Sequence, residues 1–191
     1  MFKLIAKWKT LGEEKAADLK IFEAYFKERL NPNTGQRGKF VVLDSNDWVN
    51  IIPVTSEGKI VMVQQYRHGT DEITLELPGG LVNSGEEPLQ GAMRECVEET
   101  GYEGENDAIF LGKNRPNPAY QSNTCHTYLW KNCTLKHEQN LDGHEDINIL
   151  EFTEDQIRSL IAEGKIDHCV ILTAFFFYFM HNGQEDSLWQ K

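Results

Sequence analysis

The sequence predicts one α+β domain in which strands outnumber helices. Two β-rich runs, residues 48–55 and 60–66, are separated by Ser56-Glu57-Gly58, a break typical of a hairpin. Residues 88–100 carry apolar side chains at helical spacing, and two more helical segments follow towards the C-terminus. A length of 191 residues with 40% hydrophobic and 26% charged residues suits one globular domain. Collagen-like, coiled-coil and disordered chains are therefore excluded.

The first 44 residues predict a β-rich segment that precedes the main domain, residues 45–191. Residues 21–30 and 39–43 flank Asn31-Pro32-Asn33-Thr34-Gly35, whose residue types favour a turn, so the pair is typical of a hairpin. Residues 21–30 also carry apolar side chains at helical spacing. A helix is therefore the alternative for that stretch.

The remaining elements follow from hydrophobic periodicity and from cap and turn residues. Strands are predicted at residues 48–55, 60–66, 108–112, 124–131 and 147–152, and helices at residues 88–100, 154–163 and 167–180. Pro88 suits the first turn of its helix, and Gly101 is a typical stop for the same helix. Thr153 and Gln156 stand three residues apart before the next helix, which is the pattern of a capping box.

Charge and cysteine content limit the class of protein. Nineteen Lys and Arg stand against thirty Asp and Glu, a formal net charge of −11, which argues against a nucleic-acid partner held through its phosphates. The four cysteines form no CxxC pair, and the first ten residues lack the apolar core of an export signal, so we expect reduced thiols in a cytoplasmic protein. The longest apolar stretch, residues 169–180, is shorter than the roughly 20 residues that cross a bilayer, so no membrane partner is expected.

The helix predicted at residues 88–100 has an apolar face and an acidic face. The residues of the apolar, core-facing stripe are Leu89, Ala92, Met93, Cys96 and Val97. Glu95, Glu98 and Glu99 lie within a roughly 100° arc on the other side, where their charges repel one another. Such hard oxygen ligands suit Mg²⁺ or Mn²⁺, whereas a solvated acidic face is the alternative for an isolated ExxEE pattern.

A longer motif contains this helix. The residues that form it are Gly80, Glu86, Arg94, Glu95, Cys96, Glu98, Glu99, Gly101 and Tyr102, at the spacing G-x5-E-x7-R-E-U-x-E-E-x-G-U, where U is a bulky apolar residue. The motif resembles the Nudix box, because seven fixed residue identities match across twenty-three positions. Cys96 replaces the usual aliphatic residue and leaves every carboxylate in place.

The resemblance implies a Nudix fold, an α/β/α sandwich around a mixed β-sheet, and hydrolysis of a nucleoside diphosphate linked to another moiety. By motif position, Glu95, Glu98 and Glu99 hold Mg²⁺, for which Mn²⁺ is a possible substitute. Gly79 offers a backbone carbonyl to the metal, and Arg94 orients the glutamates as a catalytic residue beside Glu98. Such metals neutralise pyrophosphate oxygens and lower the pKa of an attacking water.

Outside the box the chain resembles, more loosely, ADP-ribose pyrophosphatases and related nucleoside diphosphate sugar hydrolases. Gln65-Tyr66-Arg67 is similar to the QYR segment of that branch, which implies that Arg67 binds substrate phosphates. Glu76 is expected to bind a substrate hydroxyl or base, with a salt bridge as the alternative. Pro116 lies near the proline that marks ADP-ribose-type enzymes, and its neighbour Arg115 is a candidate substrate ligand. The surrounding loop departs from the familiar form, which leaves the sugar undetermined.

The same resemblance implies a general base and a stacking residue. Residues 142–147 resemble the mobile loop that supplies the base in this branch, so we expect Glu145 to be the general base or an additional metal ligand, with Glu138 in reserve. Trp48 opens a strand where this branch places base-stacking contacts, and a core position is the alternative. The six histidines show no zinc spacing, so zinc catalysis is not expected.

Three functions are compatible with these residues. The first is Mg²⁺-dependent cleavage of a nucleoside diphosphate sugar, with ADP-ribose as the leading substrate, into a nucleoside monophosphate and a sugar phosphate. The second is hydrolysis of a dinucleoside polyphosphate or nucleoside triphosphate by the same box, and the third is a non-catalytic nucleotide sensor. Relatives in this branch are commonly homodimers, so residues 1–44 are expected to join two copies of the chain.

Overall fold

The computed structural model describes residues 5–185 and divides the chain into two units. The first unit comprises Met1–Asn46 and Arg115–Asn123, and the second comprises Asp47–Asn114 and Thr124–Lys191. The sequence predicted a boundary after residue 44, and it did not predict that residues 115–123 belong to the first unit.

Three antiparallel strands form the first unit. They are β1 (Lys9–Asp18), β2 (Glu23–Leu30) and β3 (Arg37–Asp44), in the order β1-β2-β3. The hairpin predicted around Asn31 is confirmed, and the alternative helix over residues 21–30 is wrong. The predicted turn is present as well, because the side chain of Asn31 accepts a hydrogen bond from the Asn33 amide and Gly35 adopts a φ of 72°. Strand β1 was not predicted.

A mixed eight-stranded sheet forms the second unit. Its strands are β4 (Trp48–Thr55), β5 (Ile60–Arg67), β6 (Glu72–Glu76), β7 (Gly79–Leu81), β8 (Tyr102–Glu103), β9 (Ile109–Asn114), β10 (Cys125–Leu135) and β11 (Ile147–Phe152). The central order is β11-β5-β4-β10-β8, with β6 beside β5, β7 beside β4 and β9 beside β10. Strand β10 runs parallel to β4, and the other pairs are antiparallel.

Helices cover both faces of this sheet. They are α1 (Pro88–Thr100), α2 (Glu154–Ala162) and α3 (Cys169–Glu185). Ile52 packs with Ile157 and Phe175 in the buried cluster under α2 and α3, whereas Ile51 packs with Cys96 in the cluster under α1. Consecutive residues of β4 therefore point to opposite faces, as strand geometry requires. The predicted α/β/α sandwich is confirmed.

The predicted ends of the helices are largely confirmed. Pro88 occupies the first turn of α1, and Gly101 ends that helix in the left-handed region at a φ of 70°. At the start of α2, Thr153 and Gln156 exchange side-chain and backbone hydrogen bonds, which is the predicted capping box. Within residues 5–185, no helix combines the length and apolar content that crossing a membrane requires.

Candidate functional site

Helix α1 places two of its glutamates against the glycine-rich strand β7. Glu99 is only 4% exposed, and its carboxylate accepts a hydrogen bond of 3.0 Å from the amide of Gly79. The Glu95 carboxylate lies so close to Gly80 that a Cβ at that position would overlap it. Glu98 lies nearer the solvent, with 37% of its side chain exposed. Gly80 therefore allows the helix and strand to approach closely.

The environment of these carboxylates disfavours their charged forms. Burial raises the pKa of Glu99 to about 8, and repulsion from Glu95 and Glu145 acts in the same direction. Burial also raises the pKa of Glu95. Within the described part of the chain, Glu99 forms no salt bridge with a Lys, Arg or His. A buried carboxylate without a cationic partner, next to a second carboxylate, is a donor set that fits a divalent cation.

Arg94 connects the helix to the loop before it. Its Nη1 donates to Glu95 Oε1 at 2.9 Å and to Glu98 Oε2 at 2.8 Å, and its Nε donates to Glu86 Oε1 at 2.9 Å. Its Nη2 reaches the carbonyl of Leu81 at 3.1 Å. Hydrogen bonds from Arg94 lower the pKa of Glu86, although burial opposes this effect. In residues 5–185, no three His, Cys, Asp or Glu side chains stand in a metal-binding arrangement.

Arg67 and Glu76 lie on the same face of the β5–β6 ladder, because Arg67 pairs with Glu72 and Glu76 pairs with Val63. Glu76 is 2% exposed, and it accepts hydrogen bonds of 2.7 Å at both oxygens, from Nε and Nη2 of Arg67. Burial opposes ionisation of Glu76, but the hydrogen bonds from Arg67, His168 and Thr74, together with the charge of Arg67, outweigh burial and hold its pKa well below the usual range. The salt bridge named as the alternative for Glu76 is present, and direct contact with a substrate stays a prediction.

Sequence reasoning missed two further partners of Glu76. Thr74 donates its hydroxyl to Oε1 at 2.6 Å, and His168 Nδ1 lies 3.2 Å from Oε2. Thr74 shares the face of Glu76 by the two-residue period of a strand, so its position was open to prediction. His168 is ninety-two residues away in sequence, and no motif links it to Glu76.

The loop that precedes β11 brings Glu145 near the glutamates of α1. Its charge contributes to the raised pKa of Glu99, and its carboxylate accepts a hydrogen bond of 3.0 Å from the Asp142 amide. Gln139 holds this loop to the helix, because its Nε2 donates to the carbonyls of Glu99 and Ile147 at 2.7 and 3.2 Å. The role of Glu145 as the general base stays a prediction.

Three predicted residues lie away from these contacts or outside the second unit. Trp48 is half-buried and packs against the cluster under α2 and α3. Glu138 is exposed between β10 and β11. Arg115 is exposed and belongs to the first unit. Substrate contacts of Trp48 and Arg115, and the reserve role of Glu138, stay predictions.

Comparison with known proteins agrees with this geometry. The NUDIX domain profile matches residues 46–172. A methanol dehydrogenase activator from Bacillus methanolicus is 35% identical over 136 residues, which cover 71% of this chain and 72% of that protein. An ADP-ribose pyrophosphatase from Bacillus subtilis (strain 168) is 28% identical over 159 residues, or 83% and 85% of the two chains. A crystal structure of an ADP compounds hydrolase has the same fold, with a TM-score of 0.84 over 97% of this chain and 99% of that chain, at 21% identity.

Proposed function

The chain belongs to the NUDIX domain family, and from that premise we propose that it hydrolyses the pyrophosphate bond of a nucleoside diphosphate sugar. ADP-ribose or a related compound is the substrate, and the products are a nucleoside monophosphate and a sugar phosphate. The observation that carries this proposal is the buried, unpaired carboxylate of Glu99 beside Glu95, with the guanidinium of Arg67 close enough to affect the pKa of Glu99. The similarity to an ADP-ribose pyrophosphatase over most of both chains supports the choice of substrate.

We assign Mg²⁺, with Mn²⁺ as a substitute, to Glu95, Glu98, Glu99 and the backbone carbonyl of Gly79. When bound, the ion neutralises pyrophosphate oxygens and lowers the pKa of the attacking water. The donor set supports this assignment, because carboxylate and carbonyl oxygens are the ligands that Mg²⁺ prefers. Arg94 holds Glu95 and Glu98 on the same side of the helix, so it orients these donors.

The other residues of the site have separate tasks in this proposal. Arg67 uses Nε and Nη2 for Glu76, which leaves Nη1 to bind a substrate phosphate. Glu76 affects substrate binding indirectly, through the hydrogen bonds that hold the guanidinium of Arg67. Glu145 takes a proton from the attacking water, since its loop is held at the end of α1 by Gln139.

We also propose that the protein is a homodimer joined through residues 1–44. Strand β1 is exposed along nearly all of its length, and Leu11, Phe40 and Val41 are 44%, 44% and 51% exposed. A three-stranded sheet with this much exposed apolar surface is stabilised when another chain covers it. Sedimentation equilibrium measures the mass, and a strictly monomeric active enzyme would contradict the dimer.

A cytoplasmic location is part of the same proposal. Cys96, Cys125 and Cys133 are buried free thiols, which suit a reducing compartment. Fractionation of the source cells with detection by antibody tests the location, and recovery of the protein outside the cytoplasm would contradict it.

The reaction is tested with purified protein, Mg²⁺ and a panel of possible substrates. The panel contains ADP-ribose, GDP-mannose, UDP-glucose, a dinucleoside polyphosphate and nucleoside triphosphates, with products identified by mass in water enriched in ¹⁸O. We expect one nucleoside diphosphate sugar to give a nucleoside monophosphate and a sugar phosphate, with ¹⁸O in one product. Glu98→Gln and Glu99→Gln should abolish this turnover, and Glu57→Gln, an exposed carboxylate in the turn between β4 and β5, is the matched control.

The other outcomes of this assay separate the competing functions. Cleavage of a polyphosphate alone would indicate the second enzyme function, and binding without turnover would indicate a sensor. Full activity of Glu99→Gln would remove the proposed metal site.

A further inference from the structure

The guanidinium of Arg67 is oriented by a carboxylate that solvent barely reaches. Glu76 is 2% exposed, and the two bonds of 2.7 Å from Nε and Nη2 form a parallel pair. Such a pair fixes the plane of the guanidinium, so the direction of Nη1 follows from the direction of the Glu76 carboxylate. Any residue that fixes the orientation of the Glu76 carboxylate therefore also fixes the direction of Arg67 Nη1, the proposed phosphate ligand.

The two oxygens of Glu76 are held from two different elements. Thr74, on the same strand, donates to Oε1 at 2.6 Å. His168 lies 3.2 Å from Oε2 through Nδ1, and it reaches the carboxylate from the start of α3. Without His168, Oε2 would keep only its hydrogen bond to Arg67, and the carboxylate could rotate more easily about the Cγ–Cδ bond of Glu76.

The backbone of His168 is fixed by the helix that follows. Its carbonyl accepts hydrogen bonds of 3.0 Å from the amides of Ile171 and Leu172, which makes His168 the N-cap residue of α3. Helix α3 is anchored in the core by fully buried residues such as Ile171 and Phe175. The imidazole thus projects to Glu76 from a rigid support.

We propose that His168 is a positioning residue for phosphate binding, which acts by holding Glu76 so that Glu76 presents Nη1 of Arg67 to the substrate. In this arrangement Nδ1 carries the proton and donates it to Glu76 Oε2. The contribution to catalysis rests on the proposed function, whereas the effect on Arg67 exists without any substrate.

Two substitutions separate this role from the helix cap. Asn at position 168 can cap α3, and its amide nitrogen occupies the place of Nδ1, so His168→Asn keeps the donor. Ser can also cap the helix, but its hydroxyl is too short to reach Glu76, so His168→Ser removes the donor alone. Thr173→Val is the matched control on α3, because the Thr173 hydroxyl donates to the carbonyl of Cys169, in the same helix.

The first measurement is hydrogen exchange of the Arg67 Nε–H by NMR on the ligand-free, full-length protein. We expect about tenfold faster exchange in His168→Ser, and wild-type exchange in His168→Asn and Thr173→Val, because a lost hydrogen bond of about 1.4 kcal/mol corresponds to that factor. Unchanged exchange in His168→Ser would overturn the proposal, even if the protein cleaved no nucleoside diphosphate sugar.

The second measurement is steady-state kinetics with the sugar nucleotide that the wild type cleaves. His168→Ser should raise KM about 3- to 10-fold with kcat within about twofold, because a phosphate contact is made in the ground state and in the transition state alike. His168→Asn should restore KM. Equal KM values for His168→Ser and wild type, or a failure of His168→Asn to restore KM, would overturn the positioning role.

Discussion

Replacing Glu99 by Gln should stabilise the metal-free protein. The pKa of Glu99 is raised by burial from 4.5 to about 8, so between these values the folded protein holds a proton that the unfolded chain has released. The free energy of unfolding of the wild type therefore falls as pH rises through this range. Gln carries no charge, and its side-chain oxygen can still accept the hydrogen bond from the Gly79 amide.

The size of this effect follows from the same two pKa values. A tenfold change in proton affinity corresponds to about 1.4 kcal/mol, so the proton that Glu99 must take up on folding costs on the order of 3 kcal/mol at pH 7 and on the order of 1 kcal/mol at pH 5. For a chain of this length, 3 kcal/mol corresponds to a rise in Tm of roughly 6–12 °C. The gap between the variant and the wild type should therefore widen as pH rises.

Thermal unfolding in EDTA at pH 5, 7 and 8 measures this gap. Glu57→Gln is the control, because Glu57 is exposed and its replacement should change stability by less than about 0.5 kcal/mol. Added Mg²⁺ should raise the Tm of the wild type more than that of Glu99→Gln. A Glu99→Gln protein that melts below the wild type at pH 7, or a gap that does not grow with pH, would refute the reasoning.

Three further substitutions test other contacts. Gly80→Ala should remove most of the activity while the circular dichroism spectrum stays native, because a Cβ would displace the Glu95 carboxylate. An unchanged kcat would contradict this expectation. Arg94→Ala should lower the free energy of unfolding, measured by urea denaturation, by about 2–4 kcal/mol, because it leaves three carboxylates without their cationic partner. A smaller loss would show that water compensates for the missing guanidinium. Thr153→Ala should cost about 1 kcal/mol in the same assay and leave kcat unchanged, because the Thr153 side chain caps the start of α2. A lower kcat would show that this cap is coupled to the site.

The sequence predicted those elements whose periodicity is strong. Helix α1 has a complete apolar stripe, and Ala92 and Cys96 of that stripe are fully buried as predicted. Residues 21–30 satisfied both helical and strand patterns, and pairing with two neighbouring strands decided the outcome. Strand β1 carries mostly charged or small residues and is exposed on both faces, so it shows no alternation to detect. Strands β6, β7 and β8 were not predicted either; β7 and β8 have only three and two residues.

In the candidate site, too, the sequence predicted some contacts and missed others. The glutamates of α1 lie on one helix, so their spacing alone predicted that they share a face. The link between Glu76 and His168 depends on how α3 packs against the sheet, and no local pattern encodes that packing. Gln139 holds the Glu145 loop through backbone carbonyls, which exist at every residue and therefore leave no trace in the sequence.

The contacts of Arg94 bear on how the enzyme responds to its cellular environment. A zinc finger stays unfolded until its ion arrives, because binding of the ion supplies its free energy of folding. Here the guanidinium already balances part of the charge on Glu95 and Glu98. The chain can therefore complete folding and persist where divalent ions are scarce. With the metal dependence proposed above, activity would follow the free ion concentration reversibly, without new synthesis or degradation of the protein.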